Sequence, residues 1–508
     1  MRTRDDASQK NYLRAAIAIV IIGIILRFAI AFFVMPSGDS CWHLNIGRYI
    51  AQHGEIPLFE QLGRDIFARP PLFHIIASIF YTLFSPFGEI TADKAMNFVS
   101  PFFGSLTLVF LFFITRELLT KRQTFFAMFF ASFFPLHLYF STISHIESTL
   151  TFFVVLSFFL LIRGRFYLSA VSAGLAFLAK ENGPFLLPII LFYLWQRRDS
   201  IKNFAVRSVK YVFVALIVAS PWYLRNSMFL GNPIWPMLRF LFPTSYPSME
   251  ADIAAAPTLG TLLMAKENLV KFYLGLFGIP EGNSAFFSLF PFAPASVYLW
   301  IAASMLFLIP VLMGMIKKTD LRPILFVWAG SFLAVLFIFS LFSGFYARLF
   351  LPGTIALAFF FGIGMDRIPR KFFTVSLLLF CIVAGGFAFG EIYKAAYASS
   401  LWKPYQADYR YARENTDSQS LFFALGVCST YYLNRQVYLT DITPAQYPLI
   451  TYENLKEKNV SYAFVHPDFI PSHEGRLPEA LQATFEADPR FTQVYHNDKT
   501  STRIYQLQ

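Results

Sequence analysis

Residues 15–35 read AAIAIVIIGIILRFAIAFFVM, and the eight that follow read PSGDSCWH. The first stretch is long enough to cross a bilayer, which takes about 20 mostly apolar residues. No small-residue cleavage site follows it, so it reads as a retained first helix and not as a signal peptide. The second stretch places a carboxylate, Asp39, where that helix leaves the membrane. Ionisable groups near membrane depth are costly, and each is a functional candidate by default.

The whole chain repeats this character. Of its 508 residues 56% are hydrophobic and only 14% charged, with a mean hydropathy of +0.51. Soluble globules are about 45–50% apolar and about 25% charged, so a soluble class is excluded. The net charge of +11 does not point to nucleic acid. Its basic residues fall in short loops between apolar runs and not on one polar face. Candidate spans cover about residues 15–35, 97–115, 123–140, 148–162, 166–179, 182–196, 209–225, 296–316, 323–343, 347–365 and 372–393. The expectation is an all-α polytopic bundle of about eleven transmembrane helices.

Loop charge sets the orientation. Arg116, Lys121, Arg122, Arg163, Arg165, Arg197, Arg198, Lys317, Lys318, Arg367 and Lys371 fall on one side, with Arg2 and Arg4 of the N-terminus. The positive-inside rule makes that side cytoplasmic. Three larger pieces then lie outside: residues 36–96, 226–295 and the tail from Ser399. Counting the apolar run Leu72–Phe87 as a span would invert every later loop, so it reads as an interfacial helix. The tail is polar, with strand-like runs Leu421–Leu425, Val437–Leu439 and Ser461–Val465. It predicts a small extracytoplasmic α/β domain over 396–508, after a membrane domain over 1–395. The three cysteines, Cys41, Cys381 and Cys428, form no metal spacing and no even disulfide framework.

The chemistry-bearing residues gather at the outer helix ends. Asp39 is either a helix cap or a catalytic acid. Arg69, before Pro70-Pro71, opens the interfacial helix and is placed to meet an anionic headgroup. Glu147 stands in the short outer turn Ser144-His145-Ile146-Glu147-Ser148, where an acid also suits a helix N-terminus. Its neighbour His145 is a candidate metal ligand, though a lone histidine is more often ordinary. Lys180-Glu181 occupies another outer turn and reads most simply as an ion pair satisfying itself. Arg225, in Pro221-Trp222-Tyr223-Leu224-Arg225-Asn226, and Arg348, in Tyr346-Ala347-Arg348-Leu349-Phe350-Leu351-Pro352, oppose the positive-inside bias. Arginines there suggest an outer anion, since they grip phosphate bidentately. No P-loop, G-x-G-x-x-G, H-E-x-x-H or G-x-S-x-G is present, so nucleotide, dinucleotide and common hydrolase chemistry lose support.

In order and context these motifs resemble the GT-C superfamily of integral-membrane glycosyltransferases, in particular the protein O-mannosyltransferase and aminoarabinose transferase group. The resemblance runs over residues 15–395. It rests on Gly38-Asp39-Ser40, the run from Gly47-Arg48-Tyr49 to Glu55-Ile56-Pro57, Arg69-Pro70-Pro71-Leu72, Gly174 to Glu181, Pro221 to Asn226, Gly231-Asn232-Pro233, and Arg348 to Pro352. It implies a GT-C fold and a polyprenyl-phosphate-linked sugar donor. It also implies a lipid, glycan or protein acceptor, an outer active site, and usually inversion. Asp39 would be the catalytic acid residue acting as base and Glu147 the second carboxylate close to it, the two flanking the acceptor hydroxyl or sharing a divalent metal ion. Arg69 would contact the donor phosphate, with Arg348 and Arg225 as further phosphate binders. Ser40 departs from a second acid common in relatives, and His43 from a tyrosine, which bears on acceptor choice and metal use. No Trp-Trp-Asp motif is present, which argues against an oligosaccharyltransferase acting on Asn. The rival reading is a polytopic transporter or flippase of a lipid-linked or anionic substrate, but its polar residues belong at mid-membrane on broken helices.

Overall fold

The computed structural model describes residues 2–58, 67, 69–235, 241, 242, 272, 275, 276, 308–340, 346–368, 386, 390, 405–425, 427–438, 450–465 and 479–508. Most of the predicted loop 226–295, nearly all of the predicted span 372–393, the first part of the span 296–316, and Cys381 lie outside the described residues. In chain order the helices are α1 (Arg2–Phe33), α2 (Asp39–His53), α3 (Leu72–Phe84), α4 (Glu89–Met96), α5 (Val99–Leu118), α6 (Lys121–Phe133), α7 (Pro135–Phe140), α8 (Glu147–Ile162), α9 (Phe166–Ala179), α10 (Leu187–Gln196), α11 (Ile201–Leu230), α12 (Arg322–Ser340) and α13 (Thr354–Met365). Short 3-10 segments, Gly183–Leu186 and Ala347–Gly353, lead into α10 and α13. Residues 308–316 are also helical.

The chain is a multi-pass membrane protein. Among the described residues five helical stretches are long and apolar enough to span: Asn11–Phe33, Glu89–Leu118, Ile201–Leu230, Arg322–Phe339 and Ala347–Met365. Shorter apolar helices include α8 and α9. They match the predicted runs 148–162 and 166–179 closely, and at 16 and 14 residues they reach only about 24 and 21 Å.

The chain forms two compact units. The first comprises Met1–Ala31, Ala68–Phe73 and Ser100–Ile392; the second comprises Phe32–Phe67, His74–Val99 and Tyr393–Gln508. In the first, the predicted span 123–140 is broken, because Pro135 has no N–H to continue α6 and its ring crowds the preceding turn. The carbonyls freed at that break do not go unpaired. Arg27 of α1, fully buried, donates to Ala131 O at 3.3 Å and Ser132 O at 3.0 Å, and lies 2.7 Å from His137 Nδ1. An arginine in the first span thus stitches the proline break shut.

Helices α9 and α11 pack through small residues. A Cβ on Gly174 would sit 2.6 Å from Ala215 O, so only glycine allows this approach. Five residues earlier in α9, Ser169 meets the Tyr211 hydroxyl at 2.8 Å, and Ser157 of α8 meets it at 2.7 Å. Pairing of 169 with 211 and 174 with 215 means that α9 and α11 run parallel, with α11 continuing beyond the end of α9. Such buried hydroxyl contacts are worth about 1 kcal/mol each between membrane helices.

In the second unit, α2 closes on α3 at Gly47, where a Cβ would stand 2.8 Å from that of Ala77. Helix α3 buries Ala77 and Tyr81 and exposes Ile79, Leu83 and, just beyond its end, Phe87. That open apolar stripe is the face an interfacial helix offers to lipid. The tail forms a five-stranded sheet of β1 (Leu421–Phe423), β2 (Gln436–Tyr438), β3 (Tyr462–Val465), β4 (Phe491–Asn497) and β5 (Thr502–Leu507). Its order is β2-β1-β3-β5-β4, parallel through β2-β1-β3 and antiparallel through β3-β5-β4. The three predicted strand runs become β1, β2 and β3. Alternation buries Phe422 and Phe464 on one face and Phe423 and Val465 on the other, so both faces carry core.

The reading of the cysteines needs correction. Cys41 of α2 and Cys428 form a disulfide across 387 residues of sequence. Beside it, Arg48 of α2 pairs with Asp93 of α4 at 2.6 Å and donates to Tyr431 O at 2.8 Å. No local spacing could announce this bond. A topological signal existed, since the charge pattern puts both cysteines in outer pieces.

Candidate active site at one end of the bundle

Four chain segments of the first unit converge where α9 ends and α8 begins. Glu147 is the first residue of α8, and only 2% of its side chain is exposed. Lys180, just past α9, donates from Nζ to Glu147 Oε1 at 2.6 Å. Arg348 Nε, from the 3-10 segment Ala347–Gly353, approaches the same oxygen at 3.5 Å, and His145 Nδ1 lies 3.5 Å from Oε2. Next along the turn, Glu181 Oε1 accepts from Arg69 at 2.6 Å.

Local sequence fixes these directions. The Ser100 hydroxyl donates to His145 O at 3.0 Å and accepts from His145 N–H at 3.2 Å, clamping the turn that aims Glu147. After Glu181 the chain folds back so tightly that a Cβ on Gly183 would overlap Ala176 O. Glycine there lets the Lys180–Asn182 turn sit on the last turn of α9.

Electrostatics then decide what the cluster can hold. A buried carboxylate is expensive unless paired, and removing one partner of a buried pair typically costs about 3–5 kcal/mol. Lys180 and Arg348 offset that cost for Glu147. Burial raises the Glu181 carboxyl, but Arg69 and then Lys180 outweigh it and hold it below the usual carboxylate range. Among the described residues three cations, Arg69, Lys180 and Arg348, face the two carboxylates. Arg348 and Arg69 keep 26% and 32% of their side chains exposed. The ammonium of Lys180 occupies Oε1 of Glu147 and leaves Oε2 without a hydrogen-bond donor among the described residues. Among the described residues no three His, Cys, Asp or Glu side chains are grouped to bind a metal ion.

The structure thus brings together Arg69, His145, Glu147, Lys180, Glu181 and Arg348. Lys180 and Glu181 do not satisfy each other, as the simplest reading of the turn had it; each reaches a different partner. Arg225 stacks over Trp222 at 4.8 Å and donates to Asn226 Oδ1 at 3.0 Å, contacts local to α11. Asp39 and His43 belong to the second unit. Gly38, with φ +50°, is the cap of α2, and Asp39 is its exposed first residue, where a carboxylate suits the helix dipole. One turn on, His43 is buried with Nδ1 2.9 Å from His74 Nε2, beside the Trp42 ring. Sequence reasoning passed over Asn182, whose side chain is buried in the same turn as Lys180. A carboxamide next to an ionisable pair at a helix end was the available signal.

Known proteins share this fold. Over 96% of this chain and 97% of the other, the fold matches ArnT from Cupriavidus metallidurans in the apo state, at 13% identity and a TM-score of 0.64. It also matches ArnT bound to undecaprenyl phosphate, with a TM-score of 0.61 at 13% identity over the same shares of both chains. The Archaeoglobus fulgidus oligosaccharyltransferase tethered with an acceptor peptide matches over 97% of this chain and 74% of that one, at 13% identity and a TM-score of 0.57. The protein therefore has the GT-C fold that its sequence led us to expect. Residues 68–224 match the family described as dolichyl-phosphate-mannose-protein mannosyltransferase. An uncharacterized protein of Aquifex aeolicus is 26% identical over 160 residues, a match spanning 31% of this chain and 35% of that relative's length.

Proposed function

We propose that the chain transfers a sugar from a polyprenyl-phosphate carrier to an acceptor hydroxyl at the extracytoplasmic face of the membrane. The observation that carries this is the charge of the cluster. Cations gathered from distant parts of the chain suit the anionic phosphate of a phosphodiester-linked sugar donor, and Arg69 and Arg348 keep part of their side chains exposed. When the sugar leaves, the diester becomes a monoester and gains charge. Fixed cations then hold the leaving group more tightly than the donor, which is the condition for lowering a barrier. The mannosyltransferase family match covers Arg69, His145, Glu147, Lys180 and Glu181, and one GT-C structure was solved with undecaprenyl phosphate bound.

In this reading the acceptor oxygen attacks the anomeric carbon, its bond to phosphate breaks, and the configuration inverts. Asp39 takes the hydroxyl proton; a free aspartate, with a pKa near ~3.9, is a weak base, so the proton moves late in the step. Glu147 holds Lys180 and Arg348 in place as the second carboxylate. The catalytic residues lie within 1–395, and 396–508 is an accessory extracytoplasmic domain. The Cys41–Cys428 disulfide supports that orientation, because such bonds persist in oxidising compartments, and both cysteines lie in pieces that loop charge assigns to the outside with the N-terminus cytoplasmic. The test is binding of undecaprenyl phosphate and sugar transfer by Arg69→Ala and Arg348→Ala. Both should fall in each variant; if neither changes in either, the arginines are bilayer anchors and the reading is lost.

A further inference from the structure

We infer that Asn182 reads the sugar of the donor, exchanging two hydrogen bonds with a pair of neighbouring ring hydroxyls. The inference rests on the glycosyl-transfer reading above and names a specificity-determining residue within it. Asn182 is 1% exposed, and neither its Oδ1 nor its Nδ2 has a partner among the described residues. Buried polar groups are nearly always paired, so an exception calls for an explanation. The ordinary one is absent. Asn182 is the cap residue of the 3-10 segment Gly183–Leu186, a place where an asparagine usually accepts from the next turn, yet its side chain makes no capping bond. Only its backbone serves there, its carbonyl accepting from Phe185 N–H at 3.2 Å.

The unpaired carboxamide stands in the same turn as two members of the charged cluster. It is adjacent to Glu181, which holds Arg69, and two residues from Lys180, which holds Glu147. At the same end of the bundle Asn226, fully buried, has its Nδ2 unpaired as well, while its Oδ1 accepts from Arg225. A carboxamide offers an acceptor and a donor side by side. Phosphate offers only acceptors and is better served by the three cations, and a lipid tail offers nothing. Vicinal hydroxyls offer both, and in a polyprenyl-phosphate sugar they lie one ring from the phosphate. The tight seat of Gly183 on Ala176 fixes the turn in advance, so no ordering is needed when the sugar arrives.

The full-length protein in detergent tests this by titration with undecaprenyl phosphate and with undecaprenyl-phosphate-linked hexoses and pentoses. Asn182→Ala should weaken the preferred sugar-loaded lipid about tenfold or more, the effect of losing up to two buried hydrogen bonds. Its affinity for bare undecaprenyl phosphate should not change. The unliganded variant should melt at the same temperature as wild type or higher, because it removes buried unpaired groups instead of a contact. Equal affinity of variant and wild type for the sugar-loaded lipid overturns the inference. So does a lowered melting temperature with both lipids weakened, which marks a structural role. A change confined to the acceptor's KM assigns the hydroxyls to the acceptor and overturns the donor assignment. Wild type that binds neither lipid removes the glycosyl-transfer reading itself, and this one with it.

Discussion

Lys180→Met should destabilise the protein through Glu147, and the size of the loss can be worked from the site. The substitution keeps the length of the side chain and removes an ammonium 2.6 Å from a carboxylate that is 2% exposed. Loss of one partner from a buried pair costs about 3–5 kcal/mol. Here Arg348 and His145 remain, each at 3.5 Å from a Glu147 oxygen, so the lower end applies, about 3 kcal/mol. Glu147→Gln strands Lys180, itself buried, at a comparable cost. The double variant leaves neither charge, so its loss should be smaller than the sum by about 2 kcal/mol, within the range measured for contacting residues. Unfolding of the four purified proteins in one detergent, followed by tryptophan fluorescence, measures the cycle. Strict additivity would refute the pairing.

Further expectations concern pH, the disulfide and the base. Because Arg69 and Lys180 hold the folded-state pKa of Glu181 below its unfolded value, the stabilisation is complete above the ordinary carboxylate value of about 4.3 and is lost as pH falls through the lowered one. Acid unfolding should therefore be steeper for wild type than for Glu181→Gln, modestly so, since Arg69 is a third exposed; identical profiles would dismiss the Arg69 pair. Cys41→Ser should expose Cys428 to maleimide and lower stability by about 2–5 kcal/mol, while protein from intact cells carries no free thiol at either position. Gln406→Cys, exposed on the helix Tyr405–Asn415, should label from outside intact cells; labelling only after permeabilisation reverses the orientation. Asp39→Asn should abolish transfer and keep the fold, at a cost of about 0.3–1 kcal/mol for the lost helix-dipole interaction; near-normal turnover reduces Asp39 to a helix-end charge.

Much of this was legible in the chain because membranes impose local rules. Hydropathy over a window marked the helices, so residues 166–179 were placed to the residue. Short strand-like runs in a polar tail marked its first three strands. The motif order pointed to the GT-C fold, and the rarity of ionisable groups at helix ends singled out Arg69, His145, Glu147, Lys180, Glu181 and Arg348. Which of these meet was another matter. Lys180 could have turned to its neighbour Glu181 or across to Glu147, and only the packing of α8 on α9, with Gly183 seated on Ala176, turned it to Glu147. Pairing of Cys41 with Cys428, Arg27 closing the break before Pro135, and the unpaired carboxamide of Asn182 are likewise silent in any window. Each joins a side chain to atoms distant in sequence or leaves it without them, and contacts of that kind exist only once the helices have packed.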